Sequence, residues 1–329
     1  MSFDRNGKIA AAPTGAAPFH AGERALQASL GLAARMDEIG RKVIRPFMPD
    51  EHRALFAKLP LLFVGSLDRQ GRPWASVLAG APGFVASPDA RTLAIAALPA
   101  AHDPLAAALV PGAPVGLLGL ELSTRRRNRM NGRVRAADGG GFVVDVDQSF
   151  GNCPKYIQAR AIVGRRGGTA APAASPEGPR LSAGAAAIIA AADTCFIATA
   201  AGEAADGRAA GADVSHRGGA PGFVAMAEAA GRTVLTLPDY RGNAFFNTLG
   251  NVLVNPRAAL LFVDFASGAT LAVTGAAEIV HDGPAVDASP GAERLLRLRV
   301  DEGVLAEGAI GFAWSAPEPS PWLSGYDAG

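Results

Sequence analysis

A pentapeptide that occurs twice constrains the fold of this chain more than any other feature. Ala81-Pro-Gly-Phe-Val85 recurs letter for letter, 139 residues later, as Ala220-Pro-Gly-Phe-Val224. Weaker echoes follow both copies in the same order: Arg91-Thr-Leu with Arg232-Thr-Val, Leu98-Pro99 with Leu237-Pro238, and Gly132 with Gly275. An ordered set of matches at nearly constant spacing indicates an internal duplication. We therefore expect two like units that pack together as a covalent version of a symmetric dimer.

Length and composition agree with two ordinary globular units. A chain of 329 residues is long enough for about two domains, and its 49% apolar residues can fill two cores. The formal net charge of +1 argues against a nucleic-acid partner, which requires a basic face. Two cysteines, Cys153 and Cys195, are too few for a disulfide framework. Because neither a secretory leader nor a membrane-length apolar run is seen, we expect a cytoplasmic protein without membrane contact.

Apolar spacing, together with glycine and proline, predicts a mainly β chain with flanking helices. Helices are expected over 19–45, 51–58 and 181–192, the last capped by Ser182. Strands are expected in the first copy at 61–67, 73–78, 91–97, 113–121, 128–136 and 142–147. Short strands separated by glycine turns are typical of a barrel or sandwich.

A Gly- and Pro-rich stretch, 166–180, predicts a linker between the copies. It divides the chain into an N-terminal extension with a helix (1–49), a first barrel (50–165) and a second barrel with a C-terminal tail (181–329). We expect Trp314 and Trp322 to anchor that tail by packing.

Polar residues concentrate between 213 and 251. The stretch contains Asp-Val-Ser-His-Arg-Gly-Gly, Pro-Asp-Tyr-Arg-Gly-Asn and Phe-Asn-Thr-Leu-Gly-Asn segments. Arginine offers a planar fork for phosphate, Ser and Asn offer neutral hydrogen bonds, and glycine allows close backbone approach. This mixture suits a flat, phosphorylated ligand with polar edges. The candidate binding residues are Ser215, His216, Arg217, Asp239, Tyr240, Arg241, Asn243, Asn247 and Asn251.

Structural interpretations of several of these residues remain open. Arg217 could be a surface arginine, His216 a solvated or capped histidine, and Asp239 a backbone acceptor in its turn. The basic run 125–129 could be a solvated strand face. However, two charges about 6 Å apart at an effective dielectric of about 20 repel by about 3 kcal/mol. The run therefore favours a phosphate, an acidic ligand or carboxylate partners.

These segments resemble the FMN-binding split-barrel family related to pyridoxamine 5'-phosphate oxidase. The resemblance also rests on Asn255-Pro256 before 260–265, on the Arg-rich stretch 125–133 and on 148–158, and it covers roughly residues 50 to 280. It implies two tandem FMN-binding split β-barrels that form an intramolecular pseudo-dimer.

The resemblance implies a flavin between the two halves. The second half would hold the phosphate and ribityl chain. The first would cover the ring with the strand 125–133, in particular Arg125 and Arg127, and with Lys155 and Tyr156. In place of Pro238-Asp-Tyr-Arg-Gly-Asn243 the first half has Pro-Ala-Ala-His-Asp-Pro, and where the second has Phe-Asn-Thr-Leu-Gly-Asn it has Leu-Ala-Ala-Ala-Leu. Because alanine cannot hold a phosphate, we expect one FMN per chain.

The resemblance implies an FMN-dependent oxidoreductase that acts on a small-molecule substrate or electron donor. The family's oxidases carry an Arg-Lys pair near the position of Asn247 and Thr248, and its absence argues against pyridoxamine 5'-phosphate oxidase activity itself. Two alternatives stay open: a flavin-binding or sensing protein without turnover, and a binder of another anionic cofactor such as haem or deazaflavin. We expect no metal site. The N-terminal helix could close over the cleft or form a homodimer interface.

Overall fold

The computed structural model describes residues 17–167, 173–202 and 209–323. The helices in this part of the chain are α1 (Ala21–Ser29), α2 (Ala33–Val43), α3 (Asp50–Lys58), α4 (Leu105–Ala108), α5 (Ala183–Ala191), α6 (Asn247–Val254) and α7 (Pro284–Asp287). Within the same ranges, no helix has the length and apolar character needed to span a membrane.

Strands make up most of the regular structure. The first half contains β1 (Leu61–Leu67), β2 (Pro73–Ala79), β3 (Val85–Ala86), β4 (Thr92–Ile95), β5 (Pro114–Glu121), β6 (Arg126–Asp138), β7 (Gly141–Asn152) and β8 (Ile162–Arg165). The remainder contains β9 (Ala173–Glu177), β10 (Thr194–Ala200), β11 (Ala212–Gly218), β12 (Ala225–Ala229), β13 (Arg232–Tyr240), β14 (Arg257–Val263), β15 (Thr270–Val280), β16 (Ala292–Glu307) and β17 (Phe312–Trp314).

Two antiparallel sheets with the same strand order confirm the tandem organisation. The first runs β2-β1-β5-β6-β7-β4-β3 and the second β11-β10-β14-β15-β16-β13-β12, so every strand of one path has a counterpart in the other. The helices that precede them, α3 and α5, also correspond. Among the described strand pairings each path is open at its ends, as in a split barrel. The predicted fold class, mainly β with two tandem split barrels, is therefore confirmed.

The repeated pentapeptide forms the same turn in both halves. In 81–85 and in 220–224 the Phe amide donates to the Ala carbonyl at 2.9 Å. The Gly has a positive φ in each copy, 95° and 85°. Proline followed by glycine at positive φ is the signature of a type II turn, which explains why these letters recur unchanged.

A second matched feature is a glycine at a bulge. The strand register shifts next to Gly132 in β6 and next to Gly275 in β15. A Cβ at Gly132 would collide with the carbonyl oxygen of Asp145, and one at Gly275 with that of Arg299. Both halves thus require a residue without a side chain where the paired strand crosses closely.

The N-terminal extension forms two helices rather than the single helix expected over 19–45. Gly31, with φ of 70°, ends α1. Its amide donates to the Ala28 carbonyl at 3.0 Å, and the Leu32 amide donates to the Gln27 carbonyl at 2.8 Å. This is a Schellman motif, and the sequence-based prediction missed it because the apolar spacing continues across the break.

The predicted linker contributes a strand, and the predicted helix 181–192 is confirmed. Within 166–180, β9 pairs with β16 at the margin of the second sheet. Ser182 caps α5 as expected, because its side chain accepts from the Ala185 amide. In the tail, Trp314 packs against Phe265 with ring centroids 5.4 Å apart, whereas Trp322 is 50% exposed. Packing therefore anchors the tail mainly through Trp314.

The two halves share an apolar interface in addition to their separate cores. Phe63 of β1 stacks on Phe196 of β10 with ring centroids 3.5 Å apart. A Cβ at Gly65 or Gly116 would come within 2.7 Å of the Asp213 backbone. Such close backbone approach fixes the two halves as an intramolecular pseudo-dimer and sets the walls of the cleft between them.

Candidate functional site

A cavity of about 420 Å³, here called the polar cleft, lies where the two halves meet. Its walls come from β11 and residues 238–249 of the second half, from β6 and residues 152–156 of the first, and from α2. The lining side chains that carry nitrogen or oxygen belong to Arg35, Arg127, Arg129, Asn152, Lys155, Tyr156, Ser215, His216, Arg217, Asp239, Tyr240, Arg241, Asn243, Asn247, Thr248 and Glu293. Eleven of the thirteen residues proposed from sequence are among them.

Strand β11 lies at the end of its sheet, and three consecutive polar residues of this strand line the cleft. Side chains alternate along a strand, so Ser215 and Arg217 point one way and His216 the other. The Ser215 hydroxyl accepts a hydrogen bond from Thr248 at 3.2 Å. The His216 ring meets the Phe196 ring edge-on, with centroids 5.7 Å apart.

Arg129 crosses from the first half into the second. It is 2% exposed. Its Nη1 donates to Asp213 Oδ2 and to Asn247 Oδ1, both at 2.9 Å, and its Nη2 donates to the Ser215 hydroxyl. Burial raises the pKa of Asp213, whereas Arg129 and Arg217 oppose that rise. A buried ion pair therefore joins the halves on one side of the cleft.

Arg127, two residues earlier on β6, brings a cation without a carboxylate partner in the described residues. Its Nε donates to the Cys153 carbonyl at 2.6 Å, and its Nη1 lies 3.5 Å from the His216 carbonyl oxygen. Burial lowers the pKa of Arg127 to about 9, and repulsion from Arg217 and Arg129 adds to the effect. The guanidinium still keeps its charge at neutral pH.

Arg217 shares its carboxylate with another arginine. Arg217 Nη2 lies 3.7 Å from Asp239 Oδ1, and Arg294 Nη1 lies 3.6 Å from Asp239 Oδ2. Burial raises the pKa of Asp239, and both guanidinium groups oppose that rise. Arg294 also donates to Glu293 Oε2 at 2.6 Å, so two carboxylates face these two guanidinium groups. Because Arg35, Arg127, Lys155 and Arg241 line the cleft as well, the cleft as a whole is cationic.

The imidazole of His216 is 2% exposed, and neither of its ring nitrogens has a hydrogen-bond partner among the described residues. Burial lowers the pKa of His216 well below its usual range, and Arg127, Arg217 and Arg160 lower it further. The ring is therefore neutral at physiological pH, with one nitrogen able to donate and the other able to accept.

The N-terminal extension closes another side of the cleft. Leu32 and Met36 line it, and the Asn247 amide donates to Glu23 Oε1. Burial raises the pKa of Glu23 to about 8, against the lowering effect of its hydrogen bonds. A Cβ at Gly22 of α1 would collide with the backbone of α6. The extension therefore packs tightly on the helix that presents Asn247 to the cleft.

An aromatic pair joins the halves in the cleft wall. The rings of Tyr156 and Tyr240 lie 5.0 Å apart, and the Tyr156 hydroxyl donates to the Arg241 carbonyl at 3.1 Å. Lys155 Nζ lies 4.2 Å from the ring centroid of Trp322. The Asn243 side chain accepts from a backbone amide, that of Phe245, at 3.1 Å. These four candidates thus line the cleft while also making local contacts.

Two residues proposed from sequence lie outside the cleft lining. Arg125 has a left-handed backbone, and its Nη2 donates to Glu318 Oε1 at 2.9 Å, so it holds the C-terminal tail. Asn251 lies one helical turn beyond Asn247 and is 5% exposed. Its Nδ2 donates to Thr199 at 3.0 Å, and its Oδ1 lies 2.9 Å from His20 Nε2. Asn251 therefore anchors the extension.

Sequence reasoning did not select Arg129, Asn152, Thr248 or Met36, although all four line the cleft. Arg129 had a usable signal, because strand alternation puts it on the same face as Arg127. Asn152 pairs with Arg127 across β6 and β7, a register that the sequence does not reveal.

Several buried polar atoms of the cleft residues have no hydrogen-bond partner within the described part of the chain. They are Arg129 Nε, Asn152 Nδ2 and both ring nitrogens of His216. A buried polar atom without a hydrogen bond costs about 1–3 kcal/mol, so such atoms in a native fold call for a partner such as an ordered water, an ion or a ligand. Because a neutral imidazole carries one N–H, three of these four atoms are donors, which agrees with an electron-rich ligand.

A smaller cavity of about 270 Å³, here called the apolar cleft, occupies the equivalent position on the other side of the interface. It is formed by β2 and residues 98–104 of the first half and by β14–β16 of the second. None of its described lining residues has a buried polar atom without a partner.

The strand registers within each half show which residues occupy equivalent positions in the two halves. Leu61 and Ala79 are partners in the first half as Thr194 and Gly218 are in the second, and the two bulge glycines correspond. The polar-cleft residues and their counterparts are Ser215 and Ser76, His216 and Val77, Arg217 and Leu78, Arg127 and Thr270, Arg129 and Ala272, and Asn152 and Ala306.

Solved structures with similarity to parts of this chain come from several bacteria. HupZ of Group A Streptococcus is 13% identical and covers 40% of this chain and 98% of its own, with a TM-score of 0.30. A FAD-binding protein from Mesorhizobium loti is 16% identical over 40% of this chain and 97% of its own, with a TM-score of 0.27. HutZ, the haem storage protein of Vibrio cholerae, is 13% identical over 40% and 97%, with a TM-score of 0.26.

A comparison with curated proteins found no match. The sequence profile of the pyridoxamine 5'-phosphate oxidase family matches two stretches, residues 48–165 and 181–304. These stretches contain all of β1–β8 and β10–β15 and most of β16, and they make up well over half of the chain. The chain therefore belongs to the pyridoxamine 5'-phosphate oxidase family.

Proposed function

We propose that this protein binds one FMN in the polar cleft and uses it as an oxidoreductase acting on a small substrate or electron donor. The observation that supports this proposal most strongly is the surplus of guanidinium charge in a cleft where four buried polar atoms have no partner among the described residues. The volume of about 420 Å³ falls within the range of about 300–1,000 Å³ that ligand sites usually span.

An anionic ligand would balance the charge of the cleft. Arg127 donates only to backbone carbonyls, and Arg217 shares Asp239 with Arg294. A phosphate monoester brings about two negative charges and several acceptor oxygens. Arginine binds such groups with two parallel hydrogen bonds. Arg127 and Arg217 are therefore the residues that we assign to the phosphate.

Other lining residues suit a flat heteroaromatic ring. The Tyr156–Tyr240 pair, together with Leu32 and Met36, provides apolar surface. Asn152 offers hydrogen bonds to polar ring edges. When bound, FMN would supply the two-electron redox chemistry. The protein would orient it, exclude water and stabilise negative charge on the ring through guanidinium groups.

A second candidate, a flavin-binding or sensing protein without turnover, is favoured by one observation. The imidazole in the cleft is held neutral among three guanidinium groups. Such a ring is a poor proton acceptor, and oxidoreductases that activate a substrate by deprotonation require a better one.

Titration of the purified protein with FMN tests the binding proposal. We expect an oxidised-flavin absorption spectrum that survives desalting and saturates at one FMN per chain. Arg217→Ala should weaken binding about 10- to 100-fold, because a hydrogen bond to a charged group contributes about 1.5–3 kcal/mol. The matched control is Leu78→Ala at the equivalent position of the apolar cleft, which should leave the affinity unchanged.

Failure of the wild-type protein to bind FMN would overturn the proposal, and a Soret band after addition of haem would point to the other class of cofactor. Equal weakening by the two variants would place the ligand elsewhere. If FMN binds, anaerobic addition of NADH or NADPH separates the two candidates. Bleaching of the flavin supports the oxidoreductase, and an unchanged spectrum with these and other small donors supports the binding protein.

A further inference from the structure

The wall of the apolar cleft is almost entirely hydrocarbon. Thirteen of its sixteen described lining residues are Ala, Val, Leu or Pro, and the other three are His102, Asp103 and Thr270. Leu261, in the apolar interface between the halves, is 2% exposed, whereas Leu98 is 46% exposed. The cleft therefore leads from solvent to the buried interface, and a carboxyl group in such a wall requires an explanation.

Asp103 uses only one of its two carboxyl oxygens within the described part of the chain. Oδ1 accepts from the Ser76 hydroxyl at 2.5 Å and from the Leu105 amide at 2.9 Å. Neither donor residue lines the cleft, so Oδ1 is turned away from it and Oδ2 lies on the cleft side. Oδ2 has no hydrogen-bond partner among the described residues, and it is not a fully buried atom. Because a carboxylate accepts through both oxygens, Oδ2 is available to a ligand.

The charge of this carboxyl group is not balanced by the cleft. No lysine or arginine is among the described lining residues. Burial raises the pKa of Asp103, and its two hydrogen bonds and His102 oppose that rise. A carboxylate in an apolar environment is costly unless it is paired, and an opposite charge nearby favours its ionised form. Charge complementarity therefore selects a cation here, whereas the polar cleft selects an anion.

The two equivalent serines show the same reversal. Ser215 accepts from Arg129 in the polar cleft, and Ser76 donates to Asp103 at the apolar one. Each serine thus orients a charged group of its own cleft, but the sign of that charge differs. The second cleft has therefore acquired a polar group of its own as well as lost the arginines of the first.

We propose that the apolar cleft is a second ligand site, which binds a small amine with an apolar body. The ammonium group donates to Asp103 Oδ2, and the hydrocarbon body covers Val77, Leu98 and Leu261. The volume of about 270 Å³ is just below the range of about 300–1,000 Å³ for drug-sized ligands, so the amine is smaller than a nucleotide. A metal ion fits less well, because no group of three or more His, Cys, Asp or Glu side chains in the described ranges could hold one.

Two probes of the same shape test the role of charge. Benzylamine carries the ammonium group, and benzyl alcohol has the same apolar body without the charge. Calorimetric titration of the wild-type protein should give one benzylamine per chain, bound about 10-fold more tightly than benzyl alcohol, because hydrogen bonds between charged groups are the stronger ones. Equal affinities for the two probes, or no binding of benzylamine at millimolar concentration, would overturn the proposal.

A substitution that keeps the shape of Asp103 tests its assignment. In Asp103→Asn the amide oxygen can still accept from Ser76 and Leu105, but the charge is lost. Benzylamine affinity should fall about 10-fold, and benzyl alcohol affinity should not change. The matched control is Asp145→Asn on β7, whose carboxyl is 49% exposed, and it should leave both affinities unchanged. If Asp103→Asn bound benzylamine as tightly as wild type, the assignment of the ammonium group to Asp103 would be wrong.

A blocking variant locates the site even if Asp103→Asn does not fold. Ala309 lines the cleft from a partly exposed position after the end of β16, so a larger side chain can enter the cleft there without displacing a strand. Ala309→Phe should abolish the binding of both probes and keep the wild-type thermal midpoint. Unchanged benzylamine binding would place the amine elsewhere and overturn the proposal. The inference does not rest on FMN, because the amine titrations are carried out without flavin.

Discussion

The polar cleft and the apolar cleft occupy equivalent places between two halves of the same topology, yet they differ at nearly every lining position. At the positions equivalent to Arg127, Arg129, His216 and Arg217, the apolar cleft has Thr270, Ala272, Val77 and Leu78. Only one pair keeps its residue type, Ser215 and Ser76. The turn sequence and the bulge glycines, by contrast, are the same in both halves. The duplication preserved what the sheets need and left the cleft side chains free to diverge.

The extension adds a further asymmetry. Leu30, Leu32, Arg35 and Met36, from α2 and the turn before it, line the polar cleft, whereas no described residue of the extension lines the apolar one. A symmetric dimer would carry such an extension on both sides. In a tandem chain one copy suffices, so the second cleft can lose its ligand chemistry without loss of the first.

The ion pair that crosses the polar cleft should give the largest effect on stability. Arg129→Ala would leave Asp213 buried without its partner, and we expect a loss of about 3–5 kcal/mol in the free energy of unfolding, measured with urea. The double variant Arg129→Ala with Asp213→Ala should recover much of the loss. Arg135→Ala is the control, because its pair with Asp145 is about half exposed and should cost less than about 1 kcal/mol. Similar costs for both arginines would contradict the buried pairing.

The bulge glycines should respond alike in the two halves. In Gly132→Ala and in Gly275→Ala the new methyl group meets a backbone carbonyl of the neighbouring strand. We expect each to lower the free energy of unfolding by about 3 kcal/mol, because only a shift of the paired strand relieves the overlap. Gly139→Ala, in open space, is the control. A large cost in one half alone would show that the bulges are not equivalent.

The pH dependence of stability tests the one-sided extension. The pKa of Glu23 is about 8 in the folded protein, above its ordinary value of 4.5. The folded state therefore binds this proton more tightly than the unfolded state does, so its contribution is complete below about pH 4.5 and is lost as pH rises towards 8. Glu23→Gln should abolish this decline and stabilise the protein at pH 8 by an amount on the order of 2 kcal/mol.

Chemical unfolding of both proteins across this pH range gives the comparison. Glu38→Gln, on the exposed surface of α2, should keep the wild-type slope. If Glu23→Gln kept that slope as well, the carboxyl of Glu23 would be ionised in the folded protein, and the ion-pair network around Arg129 would need revision.

The sequence predicted the tandem sheets because the turn and bulge residues act locally. A Pro-Gly pair or a glycine at a bulge specifies its own backbone. Which arginines of the basic run 125–129 face the cleft could not be predicted in the same way. Arg125 adopts φ of 58° after a 3-10 turn, and this irregularity decides which arginines of β6 face the cleft.

The contribution of the N-terminal extension to the site could not be predicted from the sequence either. Its contacts to Asn247 and Asn251 join residues more than 200 positions apart. Asn247 and Asn251 share one helix face, and only the packing of α1 shows that the first meets the cleft while the second is covered.

The two equivalent serines allow the smallest and most direct comparison. The Ser76 hydroxyl donates at 2.5 Å to Asp103, a lining residue of the apolar cleft, whereas Ser215 receives hydrogen bonds from Arg129 and Thr248 in the polar one. Ser76→Ala should lower the free energy of unfolding by about 1 kcal/mol and leave FMN affinity unchanged, since Asp103 keeps the Leu105 amide as a donor. Ser215→Ala should cost a similar amount of stability and also weaken FMN binding several-fold, because Arg129 loses a contact that orients it. Parallel unfolding and FMN titrations measure both effects. Equal FMN affinities in the two variants would mean that the orientation of Arg129 does not matter to the ligand, and the chemical difference between the clefts would then rest on Arg127, His216 and Arg217.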